Sequence, residues 1–513
     1  MGRLRLAELC GATSLFTDMG TGQPGEHGLR SCLVAMRLAD ASGVTDEIRR
    51  EVFFVSLLRF LGCTADAHEV AAMSGGDDAG FLAGMAPASM GSPREEVARL
   101  VGLVGRGERV PRRLGLLARA LTDPKAKGRV LGAHCEVAVR LAAEMALPTG
   151  VGDALGFAYA RWDGRGVPAG IAGEAIPQSM RVSVVARDVE LWGRDTDVDS
   201  TVAMLRARRG RAYAPEVVDA ALAFGLDRLR FVEGDPWAEV LAAEPEPWLE
   251  VSDEHMRGVL GALGDFADLK APEFSGHARR VARLAAAAGA AGRLEAEETE
   301  TLVRAALVHD VGVVSVPAGV WRAPRHLTAA EWEQVRLHPL WSERILARCP
   351  VLGSVAAAAA RHHERVDGSG YPGGVTGTGA GTMAGLLACV DLFDERTSPR
   401  PYRAALDEAV TATELTRLAS EGALAGQDVD AVLAATRGAA RPVEMVERPA
   451  GLTEREVDVL RSLAGGSTNR QIGESLGISA KTVGTHVEHI YAKAGVQSRA
   501  AATLFAMQHD LLA

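Results

Sequence analysis

A chain that carries two diverged copies of one segment cannot be organised around a single core, and self-comparison of this sequence reveals such a pair. Gly25-Glu26-His27 and Gly276-His277 each precede an arginine-bearing amphipathic stretch that ends in Leu-Ala, at Arg37-Leu38-Ala39 and Arg283-Leu284-Ala285. His27 and His277 lie 250 positions apart, and the same offset carries Leu57–Gly62 onto Leu307–Gly312. His134 onto His338 and Trp162–Gly166 onto Val366–Gly370 share an offset of 204, and Asp188 onto Asp391 has 203. Offsets that hold over several landmarks indicate an internal duplication, with 46 extra residues in the first copy between Cys63 and Ala133.

A length of 513 residues, at roughly 100–200 residues per domain, leaves room for three or four units. Helix formers dominate, Gly and Pro gather in short connectors, and alternation at strand lengths is scarce, which predicts an all-α protein. No apolar run approaches the ~18–20 residues of a membrane span, and Glu8 interrupts the N-terminus before a signal-peptide core can form. Six scattered cysteines without C-x-x-C spacing fit neither a disulfide framework nor a zinc knuckle, so a reduced, cytoplasmic setting and no membrane partner are expected. With a net charge of −10, any nucleic-acid binding must reside in a local surface. Pro442 and Pro449 cannot lie inside a helix and mark a linker. The expected organisation is a first copy over 1–225, a connecting segment over 226–262, a second copy over 263–436, a linker over 437–450 and a small unit over 451–513.

The second copy holds the chemistry. It offers Glu273 and His277, the doublet His309-Asp310, His338, the pair His362-His363, and Asp391, which are five imidazoles and three carboxylates. Glu273 and His277, four apart, would share one face of a helix, whereas His309 and Asp310 would diverge by ~100° and serve two metals or a bridge. Eight mixed donors exceed the four of a zinc site and suit a two-metal centre of Fe or Mn, with Zn or Ni as alternatives. Such a centre generates hydroxide near neutral pH and clamps a phosphate for in-line attack. Any one of these histidines alone would be read as a satisfied structural residue; eight donors together carry the metal reading.

His309-Asp310, His338-Pro339, His362-His363-Glu364-Arg365, Asp367-Gly368-Ser369-Gly370-Tyr371-Pro372, and Asp391 followed by Arg396–Arg403 together resemble the HD-GYP family of phosphohydrolases over about 263–436. The resemblance implies an all-α HD bundle, a cyclic dinucleotide such as cyclic di-GMP or a related phosphoester as substrate, and Asp310 as the catalytic metal bridge. It further implies that Arg365, Gly370, Tyr371, Pro372, Arg400 and Arg403 hold the nucleotide. The family's lysine shortly after the doublet, an ammonium suited to substrate phosphate, is here Val313.

In the first copy the doublet is replaced by Arg59-Phe60 and the paired histidines by Ala158-Tyr159, leaving His27, His134 and Asp188 of the ligand set. Three scattered donors do not hold a dinuclear centre, and an arginine puts a fixed positive charge where a cation should sit. The first copy is therefore expected to be a degenerate HD-like domain, sensory, dimer-supporting or purely structural.

At the C-terminus, Thr453 and Glu456 form a capping box, and Val457, Leu460 and Ala464 continue the apolar face of the helix it opens. Ser479 is an N-cap for a later helix whose apolar face is Val483, Val487, Ile490, Tyr491 and Ala494. The opposite face shows Lys481, Thr482, Thr485, His486 and His489, polar and partly cationic, as a helix entering the major groove should be. Leu452–Glu456, Asn469–Ile472, Leu476–Ser479, Lys481–His486 and Ile490–Lys493 resemble the LuxR-type helix-turn-helix, which implies a small four-helix domain that binds promoter or operator DNA. Six basic and six acidic side chains cancel over 451–513, so affinity would depend on specific contacts and on pairing two domains in a homodimer. The expected whole is a DNA-binding transcriptional regulator with a metal-dependent phosphodiesterase domain, the alternative being a non-catalytic nucleotide-sensing transcription factor.

Overall fold

The computed structural model describes residues 3–122, 126–377, 381–438 and 448–512. Among them helices prevail, and the sheet consists of Leu4–Arg5 paired antiparallel with Glu250–Val251. No described helix is long and apolar enough to cross a membrane. The chain packs as two units, one of residues 3–252 with 317–319 and the other of 253–316 with 320–513.

In the first unit the helix His27–Ala41 packs between Asp46–Leu58 and Gln178–Asp195. Leu29, Leu33, Met36, Phe53, Leu57, Val182 and Val189 face inward, and Thr45 starts the second of these helices by accepting a bond from the Ile48 amide at 3.3 Å. The extra segment of this copy folds as the helices Ala67–Ser74, Asp78–Met85, Pro93–Leu103 and Val110–Thr122 over a cluster of Val70, Phe81, Met85, Ala88 and Val104.

The second unit repeats the plan. Its helix His277–Ala291 packs against Ala296–Val308 and Thr382–Thr397, with Asp253–Asp268 alongside. The correspondence reaches backbone detail at the offsets found in the sequence. Glu26 and Gly276, both at positive φ, each precede the histidine that opens a helix. Asp18 accepts from the Gly28 amide at 3.1 Å as Asp268 accepts from the Ala278 amide at 3.1 Å. A side chain at Gly62 would collide with the carbonyl of His134, and one at Gly312 with the carbonyl of His338, so both copies require glycine at the same close approach. Val167-Pro168 and Tyr371-Pro372 are both cis.

The C-terminal domain has the four expected helices, Glu454–Ala464, Asn469–Leu476, Ala480–Ala494 and Arg499–Gln508. Capping boxes at Thr453/Glu456 and Thr468/Gln471 and the N-cap Ser479 start three of them, and Gly477 and Gly495 end two in the left-handed conformation. Val483 and Ile490 are fully buried, whereas Val487, expected in the core, lies at the edge of the apolar stripe and is only half-buried. Within the 253–513 unit this domain rests on the turn before His277: the Ser275 hydroxyl donates to the Ala464 carbonyl at 3.2 Å, and Arg283 pairs with Asp510.

Candidate metal centre and DNA-binding surface

Three of the candidate ligand histidines stand where a helix begins or ends, and His362 and His363 lie in the turn that follows the helix Gly353–Ala359. His277 opens a helix, His338 opens another with Pro339 behind it, and His309 closes Ala296–Val308. There the chain tightens into the 3-10 turn Val311–Ser315, which turns Asp310 away from its neighbour. Asp391 projects from the middle of Thr382–Thr397. Glu273 does not share a helix face with His277. It lies in a 3-10 turn, and the left-handed Gly276 separates the two.

These elements converge on two donor groups, Asp310, His338, His362 and His363 in one, His277, His309 and Asp391 in the other, with ligand atoms mutually within 4.8 Å in each. Asp310 spans them. Its Oδ1 lies 3.0 Å from His338 Nε2 and 3.3 Å from His362 Nε2, and its Oδ2 lies 3.6 Å from His277 Nε2 and 3.7 Å from His309 Nε2. Asp391 Oδ1 is 3.2 Å from His277 Nε2 and 3.5 Å from His309 Nε2.

The tautomers decide what this arrangement can hold. The Nδ1 atoms of His309, His338 and His362 meet the carbonyls of Ala306, Val335 and Ala359 at 2.8, 2.6 and 2.6 Å, so Nδ1 carries the proton and donates. Each Nε2 then presents a lone pair to the cluster. His277 Nε2 and His309 Nε2 stand 3.2 Å apart, and His338 Nε2 and His362 Nε2 3.3 Å apart. Lone pairs facing one another and two carboxylates at such distances suit a bound cation, which is how metal ligands held by outer hydrogen bonds are arranged. The described residues thus fit a metal centre. Asp394, one helical turn beyond Asp391 and not anticipated from the sequence, accepts from His277 Nδ1 at 2.7 Å and is itself held by Arg280 at 2.8 Å.

The electrostatics agree. Burial opposes charge on His277, but the bonds and charges of Asp391 and Asp394 outweigh it and push the imidazole up to about 10, a field that also favours a metal cation. Burial likewise opposes ionisation of Asp310, yet the surrounding imidazoles hold its carboxyl well below the usual range. His363 is pushed well below its ordinary value by burial and by His362.

A cavity of about 170 Å³ opens on this cluster, and four carboxylates, Glu273, Asp310, Asp391 and Glu395, line it with one guanidinium, Arg400. Without added cations such a wall repels a phosphodiester. Glu273 belongs to neither donor group: one of its oxygens accepts from Arg322 at 3.1 Å and the other is buried without a partner. Of the expected nucleotide contacts, Tyr371 and Arg400 line the cavity, with Arg400 over the Phe274 ring. Arg365 donates to the Glu364 carbonyl at 2.8 Å and Arg403 to the Arg396 carbonyl at 2.8 Å, and neither lines the cavity. Gly370 is pressed against the backbone of His363–Arg365, so it shapes the loop. Pro372 follows a cis bond and does not line the cavity, and Glu364 pins that loop through the amides of Gly373 and Val375 at 2.7 and 2.9 Å. Val313 is buried and lies outside the cavity lining. Trp321, Trp332 and Tyr402 are lining residues that sequence reasoning missed, since single aromatics carry no motif.

In the first copy the residual donors have been rewired. His27 pairs with Glu190, His134 with Asp66 and with Tyr159 at 2.9 Å, and Asp188 with Arg187, Arg208 and Tyr213. On the C-terminal domain Lys481, Thr482, Thr485 and His489 are exposed on the helix Ala480–Ala494, and His486 is half-buried. His489 approaches Glu456 at 4.0 Å, which ties it to the domain's own frame.

Comparison with known proteins fits this anatomy. The HD domain family matches residues 262–420, and the family described as bacterial regulatory proteins, luxR family, matches 450–506. The chain is 27% identical over 418 residues to 3′3′-cGAMP-specific phosphodiesterase 3 of Vibrio cholerae serotype O1, covering 80% of this chain and 90% of that protein. It is 32% identical over 157 residues to the cyclic di-GMP phosphodiesterase response regulator RpfG of Xanthomonas campestris pv. campestris, covering 30% of this chain and 41% of that protein. The crystal structure of the cyclic GMP-AMP specific phosphodiesterase V-cGAP3 from V. cholerae superposes with a TM-score of 0.58 at 22% identity, over 86% of this chain and 99% of that one, which establishes a shared fold. The chain therefore joins a segment that matches the HD domain family to a C-terminal segment that matches the luxR family of bacterial regulatory proteins, and is homologous to cyclic dinucleotide phosphodiesterases.

Proposed function

We propose that this protein is a DNA-binding regulator whose second HD domain hydrolyses a 3′,5′-linked cyclic dinucleotide at a two-metal centre. The observation that carries the reading is the set of inward Nε2 lone pairs around a carboxylate that reaches both donor groups. In this reading His338, His362 and His363 would hold one divalent ion and His277, His309 and Asp391 the other, with Asp310 within reach of both groups and the unpartnered oxygen of Glu273 beside them. Mixed imidazole and carboxylate donors favour Fe or Mn over Zn or Ni. When bound, such a pair supplies hydroxide near neutral pH and neutralises the charge of a phosphodiester.

The chain's own residues do the rest. Arg400 offers a guanidinium to phosphate, and Tyr371, flanked by Trp332 at 5.8 Å between ring centres, offers a stacking face to a base. Arg365, Gly370, Pro372 and Arg403 set the loop geometry. Asp394 fixes the His277 ring so that Nε2 faces inward. Exposed Lys481, Thr482, Thr485 and His489, with half-buried His486, are the proposed DNA contacts, made by a homodimer on a two-fold site in the cytoplasm. The proposed domains are a degenerate HD-like domain over 1–225, a connector over 226–262, the HD-GYP-like domain over 263–436, a linker over 437–450 and the helix-turn-helix over 451–513.

The test is metal analysis of the purified full chain, followed by product analysis with 3′3′-cGAMP and cyclic di-GMP. Linear dinucleotide formed only by metal-loaded protein is the expected result; a metal-loaded protein that binds either nucleotide without cleaving it replaces this reading with a non-catalytic sensor. Val313, which supplies no ammonium where the related family has one, is the observation that favours that second reading.

A further inference from the structure

The stretch Trp162–Gly166 of the first copy, the counterpart of Val366–Gly370 in the second, borders an open groove of about 1180 Å³. Three distant segments meet there: residues 89–95 at the start of the added helix Pro93–Leu103, the loop itself, and the helix Val198–Arg208 with the turn that follows it. Two buried arginines join them. Arg161 donates from Nη1 to the Ser89 hydroxyl at 2.6 Å and the Met90 carbonyl at 2.9 Å, and Arg208 donates from Nη2 to the Pro87 carbonyl at 2.9 Å. The Asp163 amide donates to the Arg211 carbonyl at 2.8 Å, which fixes the loop against the third segment.

Charge on this wall does not balance. The lining holds five guanidiniums, of Arg94, Arg161, Arg165, Arg208 and Arg211, and two carboxylates, of Glu95 and Asp163, in a chain whose net charge is −10. Both carboxylates are taken by the buried pair. Arg161 holds Asp163 through Nε at 2.9 Å and Nη2 at 2.7 Å, and Arg208 holds Glu95 at 2.9 Å. Arg94, Arg165 and Arg211 are exposed, and their guanidiniums make no hydrogen bond or ion pair with any described residue. Three accessible positive charges from remote parts of the sequence are thus left over on one concave wall, and the buried arginines hold in place the segments that carry them.

We propose that this groove binds a small molecule that carries a diphosphate. A guanidinium presents a planar fork that pairs two of its donors with phosphate oxygens. A diphosphate ester carries roughly three negative charges at neutral pH, which matches the surplus on the wall. The cavity exceeds the ~300–1,000 Å³ of ordinary ligand sites, so there is room for an organic group beyond the phosphates. The proposal does not rest on the reading of the second copy, since no residue of the groove belongs to its donor groups.

The probes are pyrophosphate, ADP, orthophosphate, citrate and a nonspecific DNA duplex, titrated calorimetrically into the full-length chain before and after metal removal. Pyrophosphate and ADP are expected to bind at one site that survives metal removal, and orthophosphate at least about tenfold more weakly. Arg94→Gln, Arg165→Gln and Arg211→Gln should each weaken that site by about tenfold, the size of a lost charge-assisted bond. All three side chains are exposed, so these variants should melt with the wild type. Arg209→Gln removes a guanidinium that pairs with Asp219 outside the groove and should leave affinity within about twofold. The proposal is overturned by the absence of a site that survives metal removal, by groove variants that all stay within about twofold of wild type, or by Arg209→Gln weakening binding as much as they do. Displacement of ADP by equimolar citrate or by the duplex would equally overturn it.

Discussion

His309, His338 and His362 each bond a backbone carbonyl three residues earlier through Nδ1, and that repeated local bond converts three ordinary buried histidines into oriented donors. His309→Ala and Asp310→Ala are therefore expected to abolish bound metal and hydrolysis, since each removes a donor that no neighbour replaces. Elemental analysis showing full metal content in both variants would refute the assignment. Asp394→Asn tests the outer layer: the ring of His277 loses its charged anchor, and metal affinity should fall by about 10–100-fold in a chelator competition while stoichiometry at saturation is kept. Changing Arg59 or Phe60 in the first copy should leave metal content alone.

At the scale of elements, the helix-turn-helix separates the residues that hold it from those that use it. Lys481→Ala with Thr485→Ala removes two exposed side chains and should abolish specific operator binding in a band-shift assay, with stability changed by no more than ~0.5 kcal/mol. Val483→Asp should instead unfold the domain, because that position is fully buried and a charge there has no partner. Glu456 is the electrostatic keystone of the first helix: burial raises its pKa, but Lys493 at 2.7 Å and the Thr453 capping box pull it down to about 2. A depressed carboxyl stabilises the fold fully above its ordinary value of 4.5 and loses that contribution as pH falls toward 2. Glu456→Gln should cost about 1–2 kcal/mol at neutral pH and flatten the acid-unfolding curve of the domain between those limits. An unchanged curve in the variant would show that Glu456 is not responsible.

For the whole molecule, two units with different site chemistry imply two thermal responses. In the proposed reading metal binds only the folded second unit, so saturation at a hundredfold excess over Kd should stabilise it by about 3 kcal/mol. Calorimetry of the full chain with and without a strong chelator should move the transition of the 253–513 unit and leave that of the 3–252 unit in place. A shift in both, or in neither, would contradict the assignment of the metal to the second copy. The turn Pro272–Ser275 carries Glu273 on the site cavity and, through Ser275, the helix-turn-helix, so within that unit the DNA-binding domain rests on a segment adjoining the proposed metal centre.

What the amino-acid sequence determined by itself was local or periodic. The duplication showed because fixed offsets survive divergence, the donor set showed because histidines and carboxylates are rare and were grouped in short motifs, and the helix starts at Thr453 and Ser479 showed because a cap is read within four residues. Tertiary structure decided everything that depends on which side chains meet. Asp310 reaches both donor groups because a helix ends at Val308, two residues earlier, and Glu273 falls outside both because a left-handed glycine intervenes. Arg365 turns its guanidinium onto the carbonyl of its neighbour Glu364, Arg403 spends a donor on the Arg396 carbonyl seven residues back, and Asp394 gains its role from an imidazole 117 positions away. The apolar cavity of about 210 Å³ in the first copy, lined by Phe60, Phe81 and Met85, exists only once the added helices pack beside it, for a cavity is a property of packed elements and leaves no motif in the chain.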